Sequence, residues 1–342
     1  MIKYFWGITL FCLLIFTNNG ISQDLTYLEE KAKNTKTWED KIKLYLEIAD
    51  SAMWIGSDID KSKEYADKVL ELCKEKDCGD FNLAAYAYLA EFGINRSDYT
   101  IVEEVIIPKL EQNNFESKFV KAHFEEIVGG YYLVTGNTTK SIHHLTIGQN
   151  ILEKRYPTSK RLSNTYLYLA YSYNINSTND SSIFYMQKSV DQCRLIKDSL
   201  SLIDGLSGLS TLYSTDGNNA KAIKSLLNAI DIMNNCPITE NRKYLLYGSL
   251  VDLYIKNENY KKAEKELLRI PELHEETVSI ESKIGDLWLL NMSMSKLLGR
   301  MDEPEKGLIY TDSAYLCTSV KSFYGINYGF ATSEFESESW SL

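Results

Sequence analysis

A seven-position pattern recurs through the middle of this chain and restricts its fold more than any other feature. One copy reads Tyr166, Leu169, Ala170, Tyr173, then Ser182, Met186, Ser189. The next is Leu206, Leu209, Ser210, Tyr213, Ala222, Leu226, Ala229, followed by Tyr247, Leu250, Val251, Tyr254, Ala263, Leu267, Ile270. Ahead of them stand Glu125, Val128, Gly129, Tyr132, Ser141, Leu145 and Gly148, with Glu125 polar at a large-residue site. Steps of three and four put the first four residues on one face of a helix and the last three on one face of a second. Small residues such as Gly129, Ala170, Ser210, Ser141, Ser182 and Ala222 let the two helices approach closely. The tyrosines fill the space beside that contact. Between the helices lie Thr135-Gly136-Asn137, Asn176 to Asp180, Thr215 to Asn219 and Asn257-Glu258-Asn259, where Gly and Asn end one helix and Asn or Asp starts the next.

Weaker copies flank these four. Leu46, Ala49, Asp50 and Met53 lead into Ser62, Ala66 and Val69; Tyr86, Leu89, Ala90 and Gly93 lead into Val102, Ile106 and Lys109. A degenerate last copy runs from Asn291, Met294, Ser295 and Leu298 to Gly307, Thr311 and Ala314. The third position falls at 50, 90, 129, 170, 210, 251 and 295, in steps of 40, 39, 41, 40, 41 and 44. This order, large–large–small–large then small–large–small, resembles the tetratricopeptide repeat (TPR) over roughly residues 38–320. The resemblance implies an all-α fold, a TPR-like α-solenoid of about fourteen antiparallel paired helices in a right-handed superhelix, without a sheet. A period near 40 exceeds the usual length of about 34, so each helix should be about a turn longer. That length also suits HEAT-like repeats, the second reading, against which the small-residue positions decide.

The first residues read as an export signal. Lys3 precedes Tyr4 to Phe16, an uncharged 13-residue apolar run, and Gly20 and Ser22 supply small residues for cleavage near Ser22–Gln23. Such a run spans only about 20 Å as a helix, short of a bilayer core. An uncleaved anchor is the other reading; Cys12 lies inside the run and lacks a lipobox before it. The domain plan is therefore 1–22 signal peptide, 23–37 lead-in, 38–320 array of about six to seven repeats, and 321–342 tail. The mature chain is expected outside the cytoplasm, periplasmic or secreted, with no membrane insertion of its own.

Net charge is −10, and losing Lys3 with the signal makes it −11. An acidic chain without a basic cluster is a poor nucleic-acid binder. Cys73, Cys78, Cys193, Cys236 and Cys317 form no CxxC pair; Cys73 and Cys78 are spaced for a short disulfide, or all five are buried helix cysteines. Of the four histidines, His143 and His144 point about 100° apart on a helix, and His274 lacks the second histidine of HExxH. No P-loop, GxGxxG or GxSxG occurs. The expectation is no catalytic residue, no cofactor and no metal site: a chain that is not an enzyme.

A TPR array lines its concave face with the first helix of each pair. Carried over position by position, that face would include His123, Glu126, Asn164, Leu167, Tyr171, Asn174, Asp204, Ser207, Thr211, Asp252 and Ile255. Chaperone-binding TPRs carry Lys, Arg and Asn there to clamp a terminal carboxylate; this chain lacks the Lys and Arg among these positions. Its acids, Glu91, Glu126, Asp204 and Asp252, suit a neutral or basic peptide or protein segment, with Tyr171, Asn164 and Asn174 to stack and hydrogen-bond. An export signal before long TPRs also resembles the sensory regions of Bacteroidota signalling proteins. Two functions follow as expectations. One is a binding scaffold that takes peptides in its groove. The other is a sensory input module of a membrane signalling or transcription-regulatory system, with a possible membrane-protein partner.

Overall fold

The computed structural model describes residues 25–54, 58–74, 76–235, 243–269 and 280–323. The expected signal peptide, its cleavage point and residues 324–342 of the expected tail lie outside the described residues. Helices stand where the recurrence places them: α1 (Leu25–Asn34), α2 (Trp38–Trp54), α3 (Ile59–Cys73), α4 (Asp80–Asn95), a π-helical turn (Val102–Ile106) running into α5 (Ile107–Gln112), α6 (Lys118–Val134), α7 (Thr138–Arg155) and α8 (Lys160–Ile175). There follow α9 (Asn179–Ile196), α10 (Ser199–Thr215), α11 (Asn219–Asn234), α12 (Lys243–Lys256), α13 (Tyr260–Arg269), α14 (Ile280–Arg300) and α15 (Pro304–Phe323). No strand occurs among the described residues. The fourteen expected helices are α2 to α15; α1 is an addition, formed within the expected lead-in.

The same turn closes the first helix in six of the repeats, α4, α6, α8, α10, α12 and α14. A left-handed residue recurs at Ser97, Gly136, Ser177, Gly217, Glu258 and Asp302, each seven residues after the third position of its repeat. The next residue donates its N–H back to the fourth repeat position: Asn137 to Tyr132 O at 2.7 Å, Thr178 to Tyr173 O at 3.0 Å, Asn218 to Tyr213 O at 2.7 Å and Asn259 to Tyr254 O at 2.8 Å. This closure satisfies carbonyls that the helix end would leave open. Asn137 and Asn218 then start the second helix, their side chains accepting the N–H of Lys140 and Lys221. Glycine suits φ of +83° at Gly136 and +77° at Gly217.

Two compact units divide the chain, residues 1–212 and 213–342. In the first, Leu28 and Ala32 of α1 join Ile42, Leu46, Ala49, Ala66 and Val69 in one core. Ala90, Val102, Ile106, Phe124 and Val128 form the next. The small positions are needed here. A Cβ on Gly129 would lie 2.5 Å from Leu145 Cγ, and Ser182 Oγ donates to Ala170 O at 2.8 Å. Tyr132 and Tyr173 stack on His144 and Tyr185 of the partner helices. The π-helical turn falls in a weak repeat: Pro108 has no N–H for an ordinary helical bond, and Ile107 N–H reaches back to Val102 O.

The second unit repeats this packing. Leu226, Ala229, Leu250, Val251, Ala263 and Leu267 are buried, as are Leu297 and Ala314 in the last pair. Lys221 lies over Tyr213 and Lys262 over Tyr254, eight residues apart in both cases, as Lys140 lies over Tyr132 in the first unit.

Cys73 and Cys78 are joined by a disulfide across the α3–α4 turn, with a Cα–Cα distance of 5.6 Å. Of the two sequence readings for this pair, the structure takes the bridged one. Cys193 is a buried free thiol, pushed up to about 11 by burial.

Candidate functional site

Stripes on the first helices of successive repeats meet in the first unit and form a buried polar network. Arg161 is its centre. Ser159 caps α8 by accepting the Arg161 N–H, which sets Arg161 in the first turn. Its Nη1 donates to Glu91 Oε1 of α4 at 2.9 Å and lies 3.7 Å from Glu126 Oε2 of α6; its Nη2 reaches Asp50 Oδ1 of α2 at 3.4 Å. Tyr88 donates its hydroxyl to Asp50 at 2.9 Å and turns its ring towards the guanidinium, 5.7 Å away. His123 Nε2 donates to Glu91 Oε1 at 2.9 Å and packs edge-on against Tyr88.

Burial and charge set the proton positions. Burial alone would push Glu91 up, but Arg161 and then His123 outweigh it and hold its carboxyl down at about 2. Glu126 goes the other way. Burial pushes it up to about 8; Arg161 opposes this, while Glu91 and Asp50 reinforce it. Burial, then the Arg161 charge, lowers His123. At neutral pH the network therefore holds a charged Arg161, an ionised Glu91, a neutral His123 and a protonated Glu126.

The expected groove residues divide accordingly. His123 and Glu126 are 2% exposed and Asn164 is 6% exposed, so these three lie inside the fold rather than being presented to solvent. Ile255, 4% exposed, belongs to the core of the second unit, and Asp252 of that unit pairs with Lys296 at 2.9 Å. In the first unit, Tyr171 is 41% exposed; Asn174, Asp204 and Thr211 are exposed, and Leu167 and Ser207 are partly so. Tyr171 is raised by burial and then by the charge of Asp204 on α10. One stripe of α8, Arg161, Asn164, Tyr168, Tyr171 and Ile175, thus runs from the closed network to an open surface ending at Ile175.

Sequence reasoning missed Arg161, Asp50 and Tyr88 as inner-face residues. Their signal was present: Arg161 lies three residues before Asn164 and shares its helix face. The inner face is therefore not devoid of a basic residue, contrary to the sequence expectation, and its acids are partly neutralised from within. Among the described residues no cluster is arranged to hold a metal ion, and no helix is long and apolar enough to cross a membrane.

No protein-family model and no curated protein matches the sequence. Solved structures do share the fold. A signal-transduction ATPase with a tetratricopeptide repeat sensor from Pyrococcus horikoshii aligns at a TM-score of 0.57 and 15% identity, over 89% of this chain and 49% of that one. A Rap protein complexed with competence and sporulation factor aligns at 0.55 and 10% identity, over 87% and 92%. NprR in complex with its cognate peptide NprX aligns at 0.52 and 13%, over 85% and 86%. With the recurrence near 40 residues and the paired helices, these likenesses establish the fold as a TPR-like α-solenoid.

Proposed function

We propose that the chain is a non-catalytic, exported scaffold that binds extended peptide or protein segments on the open part of its inner face. The exposed neighbourhood of Tyr171 and Asp204 carries this reading. It offers an accessible aromatic ring and a carboxylate, with Leu167 and Asn174 one turn to either side of Tyr171 on α8, and Ser207 and Thr211 on the Asp204 face of α10. An extended segment presents backbone N–H and C=O groups that such side chains satisfy. Two of the solved relatives in fold are complexes with a peptide or signalling factor, which supports the same reading. Since Glu126 is buried with Arg161, the ligand preference rests on Asp204 alone, and neutral segments with at most a few basic residues fit best. The apolar N-terminal run and the disulfide across the α3–α4 turn support export, because disulfides persist in oxidising compartments.

A peptide array probed with the mature chain tests this. Tyr171→Ala is expected to weaken binding at least tenfold while leaving the helical signal intact, because aromatic anchors dominate binding energy. Equal binding by the variant, or selection of acidic peptides, would place the partner elsewhere. A sensory input role is the second reading, favoured by the tetratricopeptide repeat sensor of the Pyrococcus horikoshii ATPase. Pull-down of a membrane protein by the mature chain, with no affinity for free peptides, would select it.

A further inference from the structure

The closed network holds more acid than base. Among the described residues, Asp50, Glu91 and Glu126 surround one guanidinium, and Glu126 is its most distant partner, at 3.7 Å. Glu126 Oε2 and Glu91 Oε2 are buried without a hydrogen-bond partner, as is Asn164 Nδ2. A second ionised carboxylate at Glu126 would have no cation of its own in a place that excludes water, a costly arrangement. We propose that this network is a one-proton latch: Glu126 in its acid form closes the inner face of α2, α4, α6 and α8, and loss of that proton loosens it.

The groups that face Glu126 come from every helix of the network. They are Arg161 and Tyr168 from α8, Glu91 from α4 and Asp50 from α2, with His123 on its own helix. From α7, Glu125 and His144 pair with each other at 2.8 Å. The sign then follows from proton linkage. Glu126 rises from 4.5 to about 8, so the closed form holds one proton more than the open form within that window. The Glu126 contribution to closure is complete below 4.5 and weakens as pH rises towards 8. Glu91, held down at about 2, takes up a proton in the open form below 4.5 and opposes closure there. His123 also opposes closure on the acid side: it is lowered from 6.5, so the open form takes up a proton below that value. His123 therefore offsets part of the Glu126 effect below 6.5, and the loss of closure that Glu126 alone sets lies between 6.5 and about 8. Because Arg161, Asn164 and Tyr171 share one stripe of α8, loosening at its start also moves the binding strip, a consequence that rests on the function proposed above.

Hydrogen exchange of the full mature chain, read by mass spectrometry and corrected for intrinsic rates, tests the latch without any ligand. The opening constant of α6 and α8 segments is expected to rise about tenfold per pH unit between roughly 6.5 and 8, and then level off. Glu126→Gln is expected to remove that rise, and α12 and α13, outside the network, to lack it. A flat profile in the wild type, or the same slope in Glu126→Gln, would overturn the proposal. Carboxyl carbon-13 titration of the wild type keeps the test decisive if the variant fails to fold. One glutamate titrating near pH 8 supports the latch, and all glutamates titrating below pH 6 overturn it. Peptide affinity is measured separately, so failure of the binding proposal leaves this result standing.

Discussion

His123, Asn164 and Asp204 occupy the same place in three successive repeats, two residues before the first large position, yet the first two are buried and the third is exposed. Glu126, Leu167 and Ser207 show the same trend one residue after it, from buried to half-buried. The difference lies in what faces each position. At α2, α4, α6 and α8 the inner faces come close enough for Arg161 to touch three other helices. At α8 and α10 the residues brought together are Tyr171 and Asp204, which leave a surface open. One repeat register can thus supply internal cement at one point and an exposed surface a single repeat later.

Removing the cement should have the largest effect. Arg161→Met takes the cation from between buried acids and is expected to destabilise the first unit by about 3–5 kcal/mol, read by urea unfolding at pH 7. An effect under 1 kcal/mol would mean that the closed half is held by its apolar contacts alone. Next comes the helix contact common to both halves. Ala170 is fully buried and its carbonyl accepts from Ser182, so Ala170→Leu should overpack α8 against α9 and cost about 1–3 kcal/mol in the same assay. The smallest effect belongs to the open half. Asp204→Ala should change stability by no more than about 0.5 kcal/mol. A larger loss would make Asp204 a structural residue and dissolve the distinction between the halves.

Much of the fold was legible because the recurrence reports local geometry. The Gly129 and Ala170 positions, the turns at Gly136 and Gly217 and the stacked tyrosines follow from contacts within one helix pair, and such contacts repeat with the sequence. The lead-in helix α1 was missed because its buried side chains, Leu28 and Ala32, lie before the first repeat and match no copy of it. The network was missed for a different reason. Asp50, Glu91, Glu126 and Arg161 lie up to 111 residues apart, and no periodic rule says that a lone arginine will find three acids on other helices.

The sequence by itself determined the helix pairs and their period, since these depend on spacing, small residues and turn chemistry. Only the tertiary structure decided which stripes of those helices close on one another and which stay open. Closure depends on how near successive helices come and on whether a buried charge meets its opposite. Both are sums over distant side chains, and the same local pattern is compatible with either outcome.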